Sequence, residues 1–262
     1  MISSVTNAAV KRIVLLQTRD KSRREEGLFI VEGVRMYMEV PEQRLDSVYV
    51  TESFLDHAGQ DVRDRLTHTG YELVSDDVMK KMSDTMTPQG VLCLVRYYEY
   101  TLEDILNRGS MYMILDGLQD PGNLGTVFRT AEAAGAAGVI MSRGTVSIYN
   151  PKSIRSTMGT LFRMPFIYAD DLCEVIADLK ARGVSVYAAH LHGAVNYAEC
   201  DYRGACAFVI GNEGAGVSDA VAEAADKCLY IPMEGEVESL NAAIAASVLM
   251  YEAHRQRKTP IF

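Results

Sequence analysis

The chain has 262 residues, 48% of them apolar, and five cysteines (Cys93, Cys173, Cys200, Cys206, Cys228) that form no CxxC pair. It can therefore bury one large core or two modest ones, and neither a disulfide framework nor a zinc ribbon is indicated. A net charge of −9 argues against indiscriminate binding to nucleic acid, which draws its affinity from Lys and Arg neutralising phosphate. The N-terminus lacks a basic-then-apolar signal and no run approaches the ~18 apolar residues of a membrane helix, so a soluble protein in a reducing cytoplasm is expected. The charge is uneven: six basic residues and only Asp20 lie between Lys11 and Arg24, and four basic residues with no acid between Arg143 and Arg163. Such patches suit a selective anionic ligand, and equally a solvated helix face.

In chain order, Val10, Ile13, Val14 and Leu16 fall near helical spacing within residues 5–19, and RDKSRREEG then reads as a polar loop closed by Gly27. LFIV, SVYVT, YELVS and VLCLVRYY follow as strands, separated by helical stretches around Met36, Val62 and Val78. Residues 1–98 are therefore expected to form a small α/β domain. Tyr98 to Ser110 is polar and ends in Gly-Ser, which predicts a linker over residues 99–110. Beyond it MYMILD, AGVIM, MPFIYA, VSVYAAH, ACAFVI and CLYIP are apolar runs of strand length. Leu172, Val175, Ile176 and Leu179 mark one clear crossover helix at i, i+3, i+4, i+7. Such alternation predicts a mostly parallel sheet covered on both faces over residues 111–262.

Three constellations in this second region carry chemistry. In QDPGNLGTVFRTAEAAG, a turn runs into a helix, but Gly117, Gly122 and Gly125 lack dinucleotide-fingerprint spacing and no P-loop Lys-Ser/Thr follows. Arg129 sits there among Val127, Phe128, Ala131, Ala133 and Ala134. It is either an ordinary surface arginine or a permanent charge awaiting a carboxylate or phosphate. In FVIGNEGAGVSD, three glycines in six residues let backbone approach a ligand closely, although a tight turn would look the same. In IPMEGEVESLNAAIAAS, an acidic loop meets a helix that Ser239 could cap. Its Leu240, Ile244, Val248 and Tyr251 form one apolar stripe, and Ala242, Ala245, Ala246 and Leu249 form a second face. The histidines (His57, His68, His190, His192, His254) form no HExxH, so no metal is expected.

Taken in this order and spacing, the three motifs resemble those of the SpoU, or TrmH, family of RNA ribose 2′-O-methyltransferases in the SPOUT superfamily, over about residues 111–256. NAAVKRIVLLQTRDKSRREEGLFIVEG is similar to the substrate-binding domain found ahead of many such enzymes, related in fold to a ribosomal-protein module that binds kinked RNA. The resemblance implies an α/β SPOUT domain with a deep trefoil knot over about residues 205–256, S-adenosylmethionine as methyl donor without a metal, a homodimer, and ribosomal or transfer RNA as substrate. By motif position it implies Asn123, Arg129, Glu213, Ser239 and Asn241 as catalytic residues. It implies a donor pocket at Gly211, Ile231 and Leu240, with Asn212, Gly214, Met233 and, after VSVYAAH, Leu191. Asn7, Lys11, Arg24, Glu32 and Arg35 in the N-terminal domain are either RNA contacts or ordinary surface residues, and Lys152, Arg155 and Arg163 line either the RNA side or the subunit contact. An RNA-binding protein that keeps the fold without the activity is the alternative, and the five intact motif residues count against it. A nicotinamide dehydrogenase is disfavoured by the glycine spacing.

Overall fold

The structure, a computed structural model, describes residues 1–190 and 195–258. Leu191 lies outside the described residues. The chain divides into two compact units, one made of residues 1–98 and 149–162 and the other of residues 99–148 together with the chain from residue 163 onward.

The first unit opens with α1 (Ala8–Thr18), capped by Asn7, whose side chain accepts from the Ala9 amide at 2.8 Å. The expected polar loop is a helix, α2 (Asp20–Glu26), closed by Gly27 at φ 63°. Its polarity is that of an exposed helix face, laced by the i,i+4 pairs Asp20–Arg24 and Lys21–Glu25. Arg23 turns inward instead and donates to the Leu16 and Gln17 carbonyls at 2.7 and 3.1 Å. There follow β1 (Leu28–Glu32), α3 (Val34–Glu39), β2 (Leu45–Val50), α4 (Glu52–His57), α5 (Gln60–Thr69), β3 (Glu72–Leu73), α6 (Asp76–Met82) and β4 (Val91–Arg96). The strands order as β1-β4-β2-β3, antiparallel except for the β2–β3 pair. Val10, Ile13 and Leu16 of α1 pack with Val78 and Met79 of α6 over Ile30, Leu92 and Leu94 of the sheet.

The second unit starts within the expected linker. α7 (Leu102–Leu106) has a capping box between Thr101 and Asp104 and buries Ile105 in this unit's core, so residues 99–110 are folded chain. Next come β5 (Met111–Leu115), α8 (Pro121–Ala134) and β6 (Gly138–Ser142). Residues 149–162 then belong to the first unit and carry α9 (Pro151–Thr157). There Tyr149 stacks on Tyr97 with ring centroids 3.7 Å apart, and its hydroxyl accepts from the Tyr98 amide at 2.8 Å and donates to the Tyr98 carbonyl at 3.2 Å. The second unit resumes with β7 (Phe166–Ala169), α10 (Leu172–Ala181), β8 (Ser185–Ala189), β9 (Val195–Asn196), β10 (Cys206–Ile210), α11 (Asp219–Ala224), β11 (Lys227–Tyr230) and α12 (Ala242–Lys258).

The seven strands order as β7-β6-β5-β10-β8-β11-β9 and every pair is parallel. β5 and β10 are buried along their whole length, which is why they read as continuous apolar runs. Their register sets Leu115 beside Ile210, so the loops after the two strands leave the same edge of the sheet.

Candidate active site

Open parallel sheets bind ligands at the carboxyl ends of their strands, because several loops converge there. At this edge Asp116, just past β5, accepts from the amide and hydroxyl of Ser218 at 2.9 and 2.7 Å. The Asn212 side chain donates to the Gly117 carbonyl at 2.9 Å. Its oxygen accepts from the Gly214 and Ala215 amides at 2.9 and 3.0 Å, while its backbone exchanges two bonds of 2.9 Å with Gly216. Asn212 thus closes the glycine loop on itself and ties it to the neighbouring one. Gly211 is obligatory here: a Cβ would stand 2.0 Å from the Gly216 carbonyl carbon and 2.1 Å from the Val217 nitrogen.

Glu213, exposed at the tip of that loop, reaches the start of α8. Its carboxylate accepts from the Gln119 and Asp120 amides at 2.9 Å each and from the Asn123 side chain at 3.0 Å. Burial would push this carboxyl up, but the donors outweigh it and hold the group below its ordinary range. The helix start also gains, since anionic side chains are favoured beside its free N–H groups. Asn123 in turn accepts from the Asn241 side chain at 3.0 Å. Asn241, and not Ser239, caps α12, accepting from the Ala243 amide at 2.9 Å. Ser239 is exposed and Leu240 half-buried beside it.

Three of the sequence-derived residues therefore meet as one chain, Glu213–Asn123–Asn241, drawn from the first turn of α8 and from two segments 90 and 118 residues beyond it. Both ends of the Asn123 amide are used within it. Arg129 lies outside it: it is exposed, with no hydrogen bond or ion pair among the described residues. It is thus not embedded among its apolar neighbours: Val127, Phe128, Ala131 and Ala134 are buried, while Ala133, one turn on, is exposed like Arg129. It stands six residues beyond Asn123, about 9 Å along the axis, and helical side chains lean towards the N-terminus. Ile231 and Met233 are half-buried and Gly214 exposed.

Sequence reasoning passed over Asp116, Ser218 and Gln119, which knit the same edge. Gln119 donates to the Gly117 and Gly144 carbonyls at 2.9 and 2.5 Å. Asp116 directly follows a buried strand, but Gln119 and Ser218 lie four and eight residues beyond theirs, where polarity alone marks nothing. The candidate RNA contacts other than Arg163 lie in the first unit. Arg24 and Arg35 are exposed but paired with Asp20 and Glu39, and Arg155 pairs with Asp84 at 2.5 Å. Lys152 is exposed, and Lys11 is exposed and unpaired among the described residues. Glu32 holds the loop after α6, accepting from the Asp84 amide at 2.7 Å and the Thr85 hydroxyl at 3.1 Å. No group of three or more His, Cys, Asp or Glu that could hold a metal exists among the described residues, and none of their helices is long and apolar enough to cross a membrane.

Comparison with known proteins adds to this geometry. Residues 110–251 match the SpoU rRNA Methylase family, and residues 7–93 match the MRM3-like substrate binding domain. The chain is 34% identical over 252 residues to the 23S rRNA (guanosine(2553)-2'-O)-methyltransferase RlmP of Bacillus subtilis, covering 95% of this chain and 97% of that protein. Its fold is similar to that of the SpoU methyltransferase AviRb from Streptomyces viridochromogenes in complex with AdoMet, with a TM-score of 0.86 and 29% identity over 96% of this chain and 98% of the other. The AdoMet-bound rRNA methyltransferase from Sinorhizobium meliloti is similar at a TM-score of 0.86, with 31% identity over 98% of each chain.

Proposed function

Because the chain belongs to the SpoU rRNA methylase family, we propose that it transfers a methyl group from S-adenosylmethionine to a ribose 2′-hydroxyl of ribosomal RNA. The observation that carries this reading is the joining of the three motifs through Glu213, Asn123 and Asn241, on a helix that further along carries Arg129, an arginine with no partner among the described residues.

The donor's fit can be judged on the residues present. The Gly211 loop packs too closely for any side chain, and half-buried Ile231, Met233 and Leu240 offer apolar cover for a flat ring system. These residues, with Asn212 and Gly214, would hold the donor. When bound, the sulfonium supplies an activated methyl group that needs no metal. The protein's part is to align the ribose oxygen and ease the loss of its proton. Guanidinium does not deprotonate in proteins, so Arg129 is no general base. Its role is to stabilise the developing alkoxide or to clamp the adjacent phosphate, which can itself take the proton. Asn123, Asn241 and Glu213 act by fixing the start of α8, the helix that carries Arg129, to the loops that would hold the donor. Ser239, with its hydroxyl unengaged among the described residues, is the polar group left to meet the ribose.

In this reading the first unit binds the RNA, the knot forms about the Gly211 and Asn241 loops, and the enzyme works in the cytoplasm. It works as a homodimer. α12 exposes Ile244 at 49% and Tyr251 at 48%, with half-buried Val248 between them, an apolar stripe on a helix whose other face is already in the core. Tritium transfer from labelled donor into ribosomal RNA, mapped to a ribose, tests the activity. Absence of label from ribosomal RNA at substrate excess would sink it, and label in transfer RNA alone would replace the substrate. A monomer in sedimentation at micromolar concentration would remove the dimer.

A further inference from the structure

We infer that the first unit carries a pocket for one unstacked nucleotide of the RNA substrate, at a cleft between the start of α4, α6 and the end of the loop after α6. The inference rests on the RNA reading above. The cleft has a volume of about 530 Å³, within the range of small-ligand sites.

Its floor is built to fine tolerance. Gly90 sits there at φ 83°, and a Cβ on it would stand 2.6 Å from Thr51 Oγ1 and 2.7 Å from Phe54 Cβ. Gly33, at φ 92°, lets Gln89 come close: a Cβ there would be 2.9 Å from Gln89 Oε1. Phe54, Met79 and Pro88 give the cleft an apolar lining.

The polar groups around that lining share one property. Each has part of its hydrogen-bonding capacity committed to the fold or none at all, and among the described residues the rest is left for a ligand. Gln89 Oε1 accepts from the Val34 amide at 3.0 Å, leaving the amide NH2. Asp76 Oδ1 accepts from the Ser53 hydroxyl at 3.1 Å, leaving Oδ2. His57 Nδ1 lies 2.8 Å from the Ser53 carbonyl and donates to it, so in the neutral ring Nε2 is an acceptor. Lys80, one helical turn from Asp76 on the same face of α6, makes no hydrogen bond or ion pair among the described residues.

A ligand matching this set needs a flat apolar body, donors and acceptors along its edge, and one anionic group. A nucleotide has all three. The ring lies against Phe54, Met79 and Pro88. An edge N–H goes to Asp76, which repels phosphate, while Gln89 and His57 answer the base or ribose polar atoms. The phosphate goes to Lys80. A base paired in a duplex cannot enter, so the occupant is a nucleotide splayed from a loop or bulge, the usual target of sequence-specific RNA recognition. The cleft is thus a specificity site in a different unit from the Arg129 chemistry.

The test uses the full chain with transcribed 23S rRNA, unmodified and 4-thiouridine-substituted, as the probes. Lys80→Ala and Phe54→Ala are each expected to raise KM for RNA about ten-fold, the scale of losing one stacked base or one phosphate contact, with kcat and donor affinity unchanged. Photocrosslinked RNA should map to the peptides spanning 51–57 or 76–90. Lys80 is exposed, so its variant should melt with the parent even if Phe54→Ala weakens the fold. Wild-type KM in Lys80→Ala together with crosslinks confined elsewhere would overturn the pocket. Crosslinks in the cleft without methyl transfer would overturn the proposed reaction and leave the pocket standing.

Discussion

Gly211→Ala is the most discriminating perturbation of the sheet edge. The added methyl carbon would stand 2.0 Å from the Gly216 carbonyl carbon, 2.1 Å from the Val217 nitrogen and 2.2 Å from the Gly216 oxygen. Non-bonded heavy atoms rest at about 3.5–4.0 Å, so residues 216–217 must retreat by roughly 1.5 Å. These are backbone atoms and cannot rotate away. Retreat breaks the paired bonds of 2.9 Å between Asn212 and Gly216, about 1 kcal/mol each. Overpacking adds about 1–3 kcal/mol. The expected loss is therefore about 3–5 kcal/mol, which at about 2–4 °C per kcal/mol lowers the melting temperature by roughly 6–20 °C. Calorimetric titration of S-adenosylmethionine should also lose its signal, because the loop that would hold the donor is the one displaced. Gly216→Ala is the control: at φ 74° it carries the left-handed penalty of about 1–2 kcal/mol, but its Cβ meets nothing within 4 Å. A Gly211→Ala protein that melts with the parent and binds donor normally would refute the close-packing argument.

Arg129→Ala should leave donor affinity and melting temperature unchanged, since the side chain is exposed and unpaired among the described residues, while methyl transfer falls at least about 100-fold; turnover near the parent's would deny it a catalytic role. Glu213 has a lowered carboxyl pKa in the folded state, so its stabilisation is present above about pH 4.3 and is lost as pH falls through the folded value. Melting temperature and donor affinity should both drop through that acid window, and Glu213→Gln should flatten the drop; identical pH profiles for the two proteins would contradict this. Tyr149→Phe strips both hydroxyl bonds from the Tyr98 backbone and should cost about 1–3 kcal/mol in chemical denaturation without changing donor affinity. A parent-like denaturation midpoint would argue that water replaces the hydroxyl there.

The second unit's sheet is legible in the sequence because strands buried on both faces are written as unbroken apolar runs, as in MYMIL and CAFVI. The same signal fails where polarity belongs to a helix. RDKSRREEG reads as a loop because α2 buries chiefly Arg23 and has no apolar stripe to betray it. Residues 99–110 read as a linker for a different reason: Ile105 is one buried residue in a polar stretch, although Thr101 and Asp104 spell out a capping box. Choosing between Ser239 and Asn241 as the α12 cap requires knowing where the helix begins, the least certain quantity in any sequence. Asn123, Glu213 and Asn241 stand out through family resemblance. No spacing rule foresees their contact: the β5–β10 register brings Asn123 and Glu213 to one edge, and Asn241 joins them from the chain between β11 and α12.

The interleaving of residues 149–162 with the first unit changes how the protein can be born. On a ribosome, domains usually fold in the order they emerge, at about 5–20 residues per second. Here the first unit still lacks Tyr149, and with it the partner of the Tyr98 backbone, when residue 98 appears. Its last piece arrives roughly 3–13 s later at residue 162, after β5, α8 and β6 have been made. The central strand β10 comes later still. The two units must therefore mature in alternation, and a pause in translation between residues 98 and 162 would leave both unfinished together.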